Sequence, residues 1–184
     1  MDEDLKLIKE VLKGNVDSFS ILMNKYEHMV FSFAYNMIND REAAQDVTQE
    51  VFITIYNKLY MYEKKYKFKN WTLKITRNKA IDYMRKYKRV YEANIEDITY
   101  IYDNNPGPEE AMEIREAKLM IKEFISKLGD IDREIITLKY SSDATFIDIG
   151  EIMGMTEGAV KRRYYKIRYS FKKYYEREQR EKEV

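Results

Sequence analysis

Between residues 58 and 89 this chain carries 12 Lys or Arg against 2 Asp or Glu, and sets Tyr62, Tyr66, Phe68, Trp71, Tyr83 and Tyr87 among them. That pairing suits nucleic acid. Cations hold a phosphate backbone, and ring faces take unpaired bases, each stack worth roughly 1–3 kcal/mol. Tyr66 and Phe68 precede the apolar periodicity and are expected in an exposed loop, whereas Trp71 and Ile75 fit a core as well as they fit a base. A second cationic run, residues 161–173, has seven basic residues and no acidic one. A third constellation sets Asp46, Gln49, Glu50 and Ile53 on one helical face. Two carboxylates one turn apart could serve acid–base or metal chemistry, but no His lies beside them; a solvated face, or a docking face for a basic protein, fits better. The chain has one His (His28) and no Cys, which excludes a His-based triad, thiol catalysis, zinc–thiolate sites and disulfides. No enzyme, cofactor or metal site is expected.

The elements that must position these residues read as helices throughout. The 184 residues are 45% hydrophobic and 35% charged, with two Pro and a net charge of +1. Apolar residues recur at helical spacing, and β-type alternation is scarce. A helix over about 3–13 stops at Gly14-Asn15. A second, capped by Asp17 or Ser18, places Phe19, Leu22, Tyr26, Val30 and Phe33 on one stripe. A third starts at Asn39 or Asp40 and buries Ala44, Val47, Val51, Ile55 and Leu59. A Lys/Tyr-rich loop over about 60–68 leads into a fourth helix that runs to about Arg89. Residues 92–116 are acidic, 8 against 1, and the turn chemistry of Asn104-Asn105-Pro106-Gly107-Pro108 marks a linker. The expected fold is all-α, with two small helical domains (1–91 and 111–184) joined by a flexible acidic linker (92–110). The acidic start has no signal-peptide pattern, and no apolar run reaches the roughly 20 residues that span a bilayer. A cytoplasmic protein without membrane insertion is expected.

The near-zero net charge is therefore a sum over segregated blocks. Two basic blocks flanking an acidic one predict two separate contacts with a polyanion. Residues 145–175 specify the second contact. A short helix buries Ile149 and Ile152, Gly154-Met155 turns the chain, and Thr156 caps a long helix with the stripe Val160, Tyr164, Ile167, Phe171 and Tyr174. This is a helix-turn-helix pattern. Lys161, Arg162, Tyr165 and Lys166 rotate away from the stripe near the helix start, where a recognition helix meets base edges. Arg163, Arg168, Lys172 and Lys173 are placed for phosphates.

Taken in order, these blocks resemble the extracytoplasmic-function group of bacterial RNA polymerase sigma factors, from about residue 16 to 175. DREAAQDVTQEVFITIY (40–56) resembles region 2.2, which implies that Asp46, Gln49, Glu50 and Ile53 dock on the polymerase beta-prime clamp helices. FKNWTLKITRNKAIDYMRKYKR (68–89) resembles regions 2.3 and 2.4. That implies minus-ten recognition and opening by Lys65, Tyr66, Lys67, Phe68, Lys69, Trp71, Lys74, Arg77, Asn78 and Arg85, with the preceding loop holding a flipped base. DIGEIMGMTEGAVKRRYYKIR (148–168) resembles region 4.2 and implies minus-35 reading by Thr156, Lys161, Arg162, Arg163, Tyr165, Lys166 and Arg168. The implied partners are core RNA polymerase (clamp helices and beta flap), promoter DNA and an anti-sigma factor. The chain departs from the family pattern at Gly129, where Pro is usual, at Asp148 and Gly150 in place of Glu and Ala, and at Arg162, often Ser. Two other classes compete. A free-standing helix-turn-helix regulator has little need of the aromatic-basic block, and a nucleic-acid enzyme lacks ligands and bases.

Overall fold

The computed structural model describes residues 3–87 and 108–182. The residues described are helical, with no strand among them: α1 (Glu3–Leu12), α2 (Val16–Ile38), α3 (Arg41–Lys58), a 3-10 turn (Leu59–Met61), α4 (Phe68–Tyr87), α5 (Pro108–Ser126), α6 (Asp130–Ser141), α7 (Phe146–Met153) and α8 (Glu157–Lys182). The expected linker lies almost wholly outside the described residues, as does the predicted end of the fourth helix near Arg89.

The first half packs α2, α3 and α4 around the predicted stripes. Leu22, Tyr26, Val30 and Phe33 are buried against Ala44, Val47, Val51, Ile55 and Leu59. Local chemistry sets the boundaries. Asn39 takes a left-handed conformation (φ 58°) that ends α2, its N–H bonding Tyr35 O, and Asp40 caps α3 by accepting from Ala43 N at 2.9 Å. The cap of α2 is Asn15, which accepts from Ser18 N at 3.3 Å, and not Asp17 or Ser18. Gly14, at φ +95°, makes the left-handed bend that frees Asn15 to cap, while buried Ser18 donates to Glu10 at 2.6 Å.

In the second half α8 lies along α5, α6 and α7. Its buried residues are Val160, Tyr164, Ile167 and Tyr174, as the periodicity predicts. Gly129 caps α6 without a side chain. Arg133 secures the same junction by donating to Ser126 O, at the end of α5, and to Leu128 O just beyond it, at 3.1 and 3.0 Å. α7 opens on a reciprocal box: Thr145 Oγ1 accepts from Asp148 N, and Asp148 Oδ2 accepts from Thr145 N, both at 3.1 Å. Gly154, at φ 69°, closes α7, and Thr156 Oγ1 accepts from Ala159 N at 3.2 Å to start α8.

The halves do not sit apart. α2 packs on α6 and α4 on α7, and the buried side chains of both halves join in one cluster from Leu22 and Phe33 to Ile135, Ile149 and Val160.

Candidate nucleic-acid interface

On α4 an exposed stripe carries Lys74, Asn78 and Arg85, at offsets 0, 4 and 11. At its N-terminal end stand Lys65 and Tyr66, both exposed, with the Lys65 ammonium 4.8 Å from the Tyr66 ring centre. Tyr62 Oη donates to Tyr66 O at 2.6 Å, which fixes the backbone of this loop. Trp71 is half-buried, its ring 5.6 Å from Tyr62 and 5.7 Å from Phe68.

Phe68 corrects the expectation of an exposed loop ring. It is the first residue of α4 and is 3% exposed, enclosed by Tyr26, Tyr62 and Trp71 at 5.3–5.7 Å. Its edge contacts with Tyr26 and Tyr62 anchor the helix start on the core. Tyr66 is left as the exposed ring at this point.

Lys67, Lys69 and Arg77, expected to face DNA, also bond to the second half. Lys67 Nζ donates to Asp148 Oδ1 and Oδ2 at 2.9 and 3.2 Å, and Lys69 Nζ donates to Ser142 O. Arg77 Nε donates to Glu134 Oε2 at 2.6 Å. Asn70 joins them, donating to Asp148 Oδ1 at 2.7 Å and Glu151 Oε2 at 3.1 Å. Sequence reasoning passed over Asn70; its position seven residues before Arg77, on the same side of α4, was the available signal. Burial pushes the Asp148 carboxyl up, but donors from Asn70, Thr145 and Lys67 outweigh it and hold the group well below the usual carboxylate range.

At the start of α8, Lys161, Arg162, Tyr165, Lys166 and Arg168 are exposed on one side, with Thr156 beside them at the cap. Lys161 pairs with Glu157 at 2.7 Å, an exposed contact that DNA can displace at little cost. Arg163 reaches α6, its Nη1 donating to Asp132 Oδ1 at 2.7 Å, with its side chain 41% exposed. Its offset of three from Val160 draws it toward the buried side. Asp46, Gln49, Glu50 and Ile53 form the exposed face of α3, Ile53 being 61% exposed, and Glu50 reaches Lys79 at 3.0 Å.

Sequence reasoning missed a groove of about 1000 Å³ between α2, α5, α6 and α8, lined by Phe31, Tyr35, Ile121, Ile136, Phe171 and Tyr175 among others. It forms only when the halves meet, so no single helical stripe announces it. Among the described residues, no group of three or more His, Asp or Glu could hold a metal ion, and no helix is long and apolar enough to cross a membrane.

Known proteins share this layout. Residues 22–90 match Sigma-70 region 2, and residues 124–173 match Sigma-70, region 4. The chain is 33% identical over 176 residues to the ECF RNA polymerase sigma factor SigW of Bacillus subtilis, covering 91% of this chain and 94% of the relative. It is 29% identical to SigM of the same organism, over 83% and 91% of the two chains. In structure it resembles CnrH, solved in complex with the cytosolic domain of CnrY (TM-score 0.69, 19% identity, 93% and 96% covered). It also resembles RpoE, solved with the anti-sigma factor NepR from Bartonella quintana (TM-score 0.63, 21% identity, 86% and 96% covered). Two matched regions in this order, together with the full-length likeness to SigW, show that the chain belongs to the sigma-70 family, the subunits that give RNA polymerase promoter-specific initiation.

Proposed function

We propose that this chain is an extracytoplasmic-function (group 4) sigma factor whose first half, about residues 1–91, opens and captures the minus-ten element while its second half, about 111–184, reads the minus-35 duplex. One observation carries the reading: two separate exposed cationic faces, on α4 and at the start of α8, stand in one chain, and the α4 face has Tyr66 beside it. Melting duplex costs roughly 1.4 kcal/mol of stacking per step, so exposed bases must find contacts on the protein. On α4 the proposed contacts are Lys65, Tyr66, Lys67, Lys69, Trp71, Lys74, Arg77, Asn78 and Arg85. Phe68 acts behind them by holding the helix start. On α8, Lys161, Arg162, Tyr165 and Lys166 meet base edges, with Thr156, Arg163 and Arg168 on phosphates.

Asp46, Gln49, Glu50 and Ile53 dock on the polymerase clamp helices; their common exposure on α3 supports this. The polymerase supplies all the chemistry, so the chain acts without catalysis or cofactor, in the cytoplasm. The relatives solved with CnrY and NepR support an anti-sigma factor as a further partner. Gel shifts on a promoter fragment, with and without core polymerase, test the reading: specific binding that requires polymerase is expected. Tight specific binding by the chain alone would make it a free-standing regulator.

A further inference from the structure

We infer that the groove between α2, α5, α6 and α8 is a binding site for a small aromatic acid, whose rings lie against its aromatic walls and whose carboxylate meets its cations. The site stands apart from the residues of α3 and α4 discussed above.

The walls are built from rings. Phe31 and Tyr35 stand one turn apart on α2, stacked with ring centres 6.0 Å apart and planes 12° from parallel. Phe124 of α5 and Phe171 of α8 meet edge to face at 5.1 Å. All four line the groove. Rings in these arrangements accept a further ring by offset stacking or by edge contact. Ile121, Tyr140 and Tyr175 carry the apolar surface out to solvent. Contiguous apolar surface that stays exposed marks a binding site.

The charges along the groove have one sign. Lys118, Arg168 and Lys172 line it, and among the described residues no Asp or Glu does. Arg168, Phe171, Lys172 and Tyr175 follow at offsets 0, 3, 4 and 7, so α8 sets two cations and two rings on one face. Lys172 reaches Glu176 only at 3.8 Å, an exposed pair that another anion displaces at little cost. A purely apolar ligand would leave these cations unused, and an organic cation would be repelled. The volume, about 1000 Å³, is at the upper end for pockets that enclose a drug-sized molecule, and such pockets favour junctions between packed units. Phe31 and Tyr35 belong to the first half and the other lining rings to the second, so one ligand is held by both halves and stabilises their contact by mass action.

The test titrates the full chain with anilinonaphthalene sulfonate, an aromatic anion that fluoresces on leaving water. One saturable site is expected. Naphthoate should displace the probe at least about tenfold more effectively than naphthalenemethanol, which has the same rings without the charge. Lys118→Gln with Arg168→Gln should weaken probe and naphthoate at least about tenfold and leave naphthalenemethanol within about twofold. Ile121→Glu, which sets a carboxylate in the groove, should also reject both anions. The three positions are exposed, and circular dichroism checks that the variants fold. Equal displacement by the acid and the alcohol overturns the acid as the ligand. Unchanged probe affinity in both variants puts the probe elsewhere and overturns the site. Absence of saturable binding overturns it too, and sedimentation of the parent as a dimer would then give the groove to a second copy. Displacement of the probe by an acidic amphipathic peptide but not by naphthoate would give it to a partner helix and overturn the proposal.

Discussion

Phe68 and Tyr66 are two residues apart, and the structure gives them opposite work. Phe68 is packed among Tyr26, Tyr62 and Trp71, so Phe68→Ala should cost about 3–5 kcal/mol in a denaturant melt, the range for emptying a buried aromatic site. Tyr66→Ala should change stability by no more than about 0.5 kcal/mol. It should instead weaken capture of a single strand in the open polymerase complex by roughly 1–3 kcal/mol, measured by potassium permanganate footprinting against promoter concentration. The two rings were not separable in the sequence. Both sit among lysines before the apolar stripe, and only the point at which α4 begins decides which one enters the core. Asp148 makes a second residue-scale case. Its carboxyl is held below its ordinary value of 3.8, so it stabilises the fold above that pH and the contribution is lost as pH falls through the lower folded value. Asp148→Ala should therefore cost about 2–3 kcal/mol at neutral pH, for the loss of charged hydrogen bonds. The gap between variant and parent should shrink as pH falls below about 4. A gap that stayed constant down to pH 2 would mean that packing, and not the charge, carries the effect.

At the scale of elements, most of the fold was legible. The stripes of α2, α3 and α8 are buried as their spacing requires except at Phe19 and Phe171, which are half-buried, and Asp40 and Thr156 cap where capping residues stand. Caps failed only where two candidates competed: Asn15 wins over Asp17 and Ser18 because the left-handed Gly14 turns the chain one residue earlier. The helix-turn-helix hides one further constraint. A Cβ added at Gly150 would lie 2.6 Å from the Met155 carbonyl oxygen, the oxygen of the turn between α7 and α8. Gly150→Ala must push that turn outward, at about 1–3 kcal/mol. Duplex binding by the variant should fall while oligo-dT binding does not, since the altered turn aims α8 and not α4. The presence of Ala at this position in the family pattern makes the variant informative: retention of full duplex affinity would show that the α7–α8 turn relaxes without re-aiming the recognition helix. On α3, Asp46→Arg with Glu50→Arg should abolish binding to core polymerase in a pull-down while thermal stability is kept. Glu50's pair with Lys79 is exposed and worth little.

The packing of the two halves was the least legible feature, because helical periodicity reports which face a helix buries and not which helix covers it. Charge held a partial clue: α6 and α7 carry Glu134, Asp148 and Glu151 opposite a basic α4. This arrangement has a geometric consequence for the whole molecule. Asn70 on α4 is bonded to Glu151, and ten residues separate Glu151 from Lys161 at the reading end of α8. Even fully extended, ten residues reach only about 36 Å. Promoter elements some 17 base pairs apart are separated by roughly 58 Å along duplex DNA at about 3.4 Å per pair. The N-terminal end of the α4 face and the reading end of α8 therefore cannot hold the two elements at once in this arrangement, and a promoter engaged through both requires the halves to part. The segment between them is long enough, since about 20 residues extend to roughly 70 Å. The chain has no Cys, so dyes can be placed at Tyr60→Cys and Ile147→Cys, exposed positions of the two halves outside the proposed binding faces. Energy transfer between them should be high in the free chain and fall when core polymerase and promoter are added together. Transfer that stays high in a complex competent for run-off transcription would mean that both elements are read without separation of the halves.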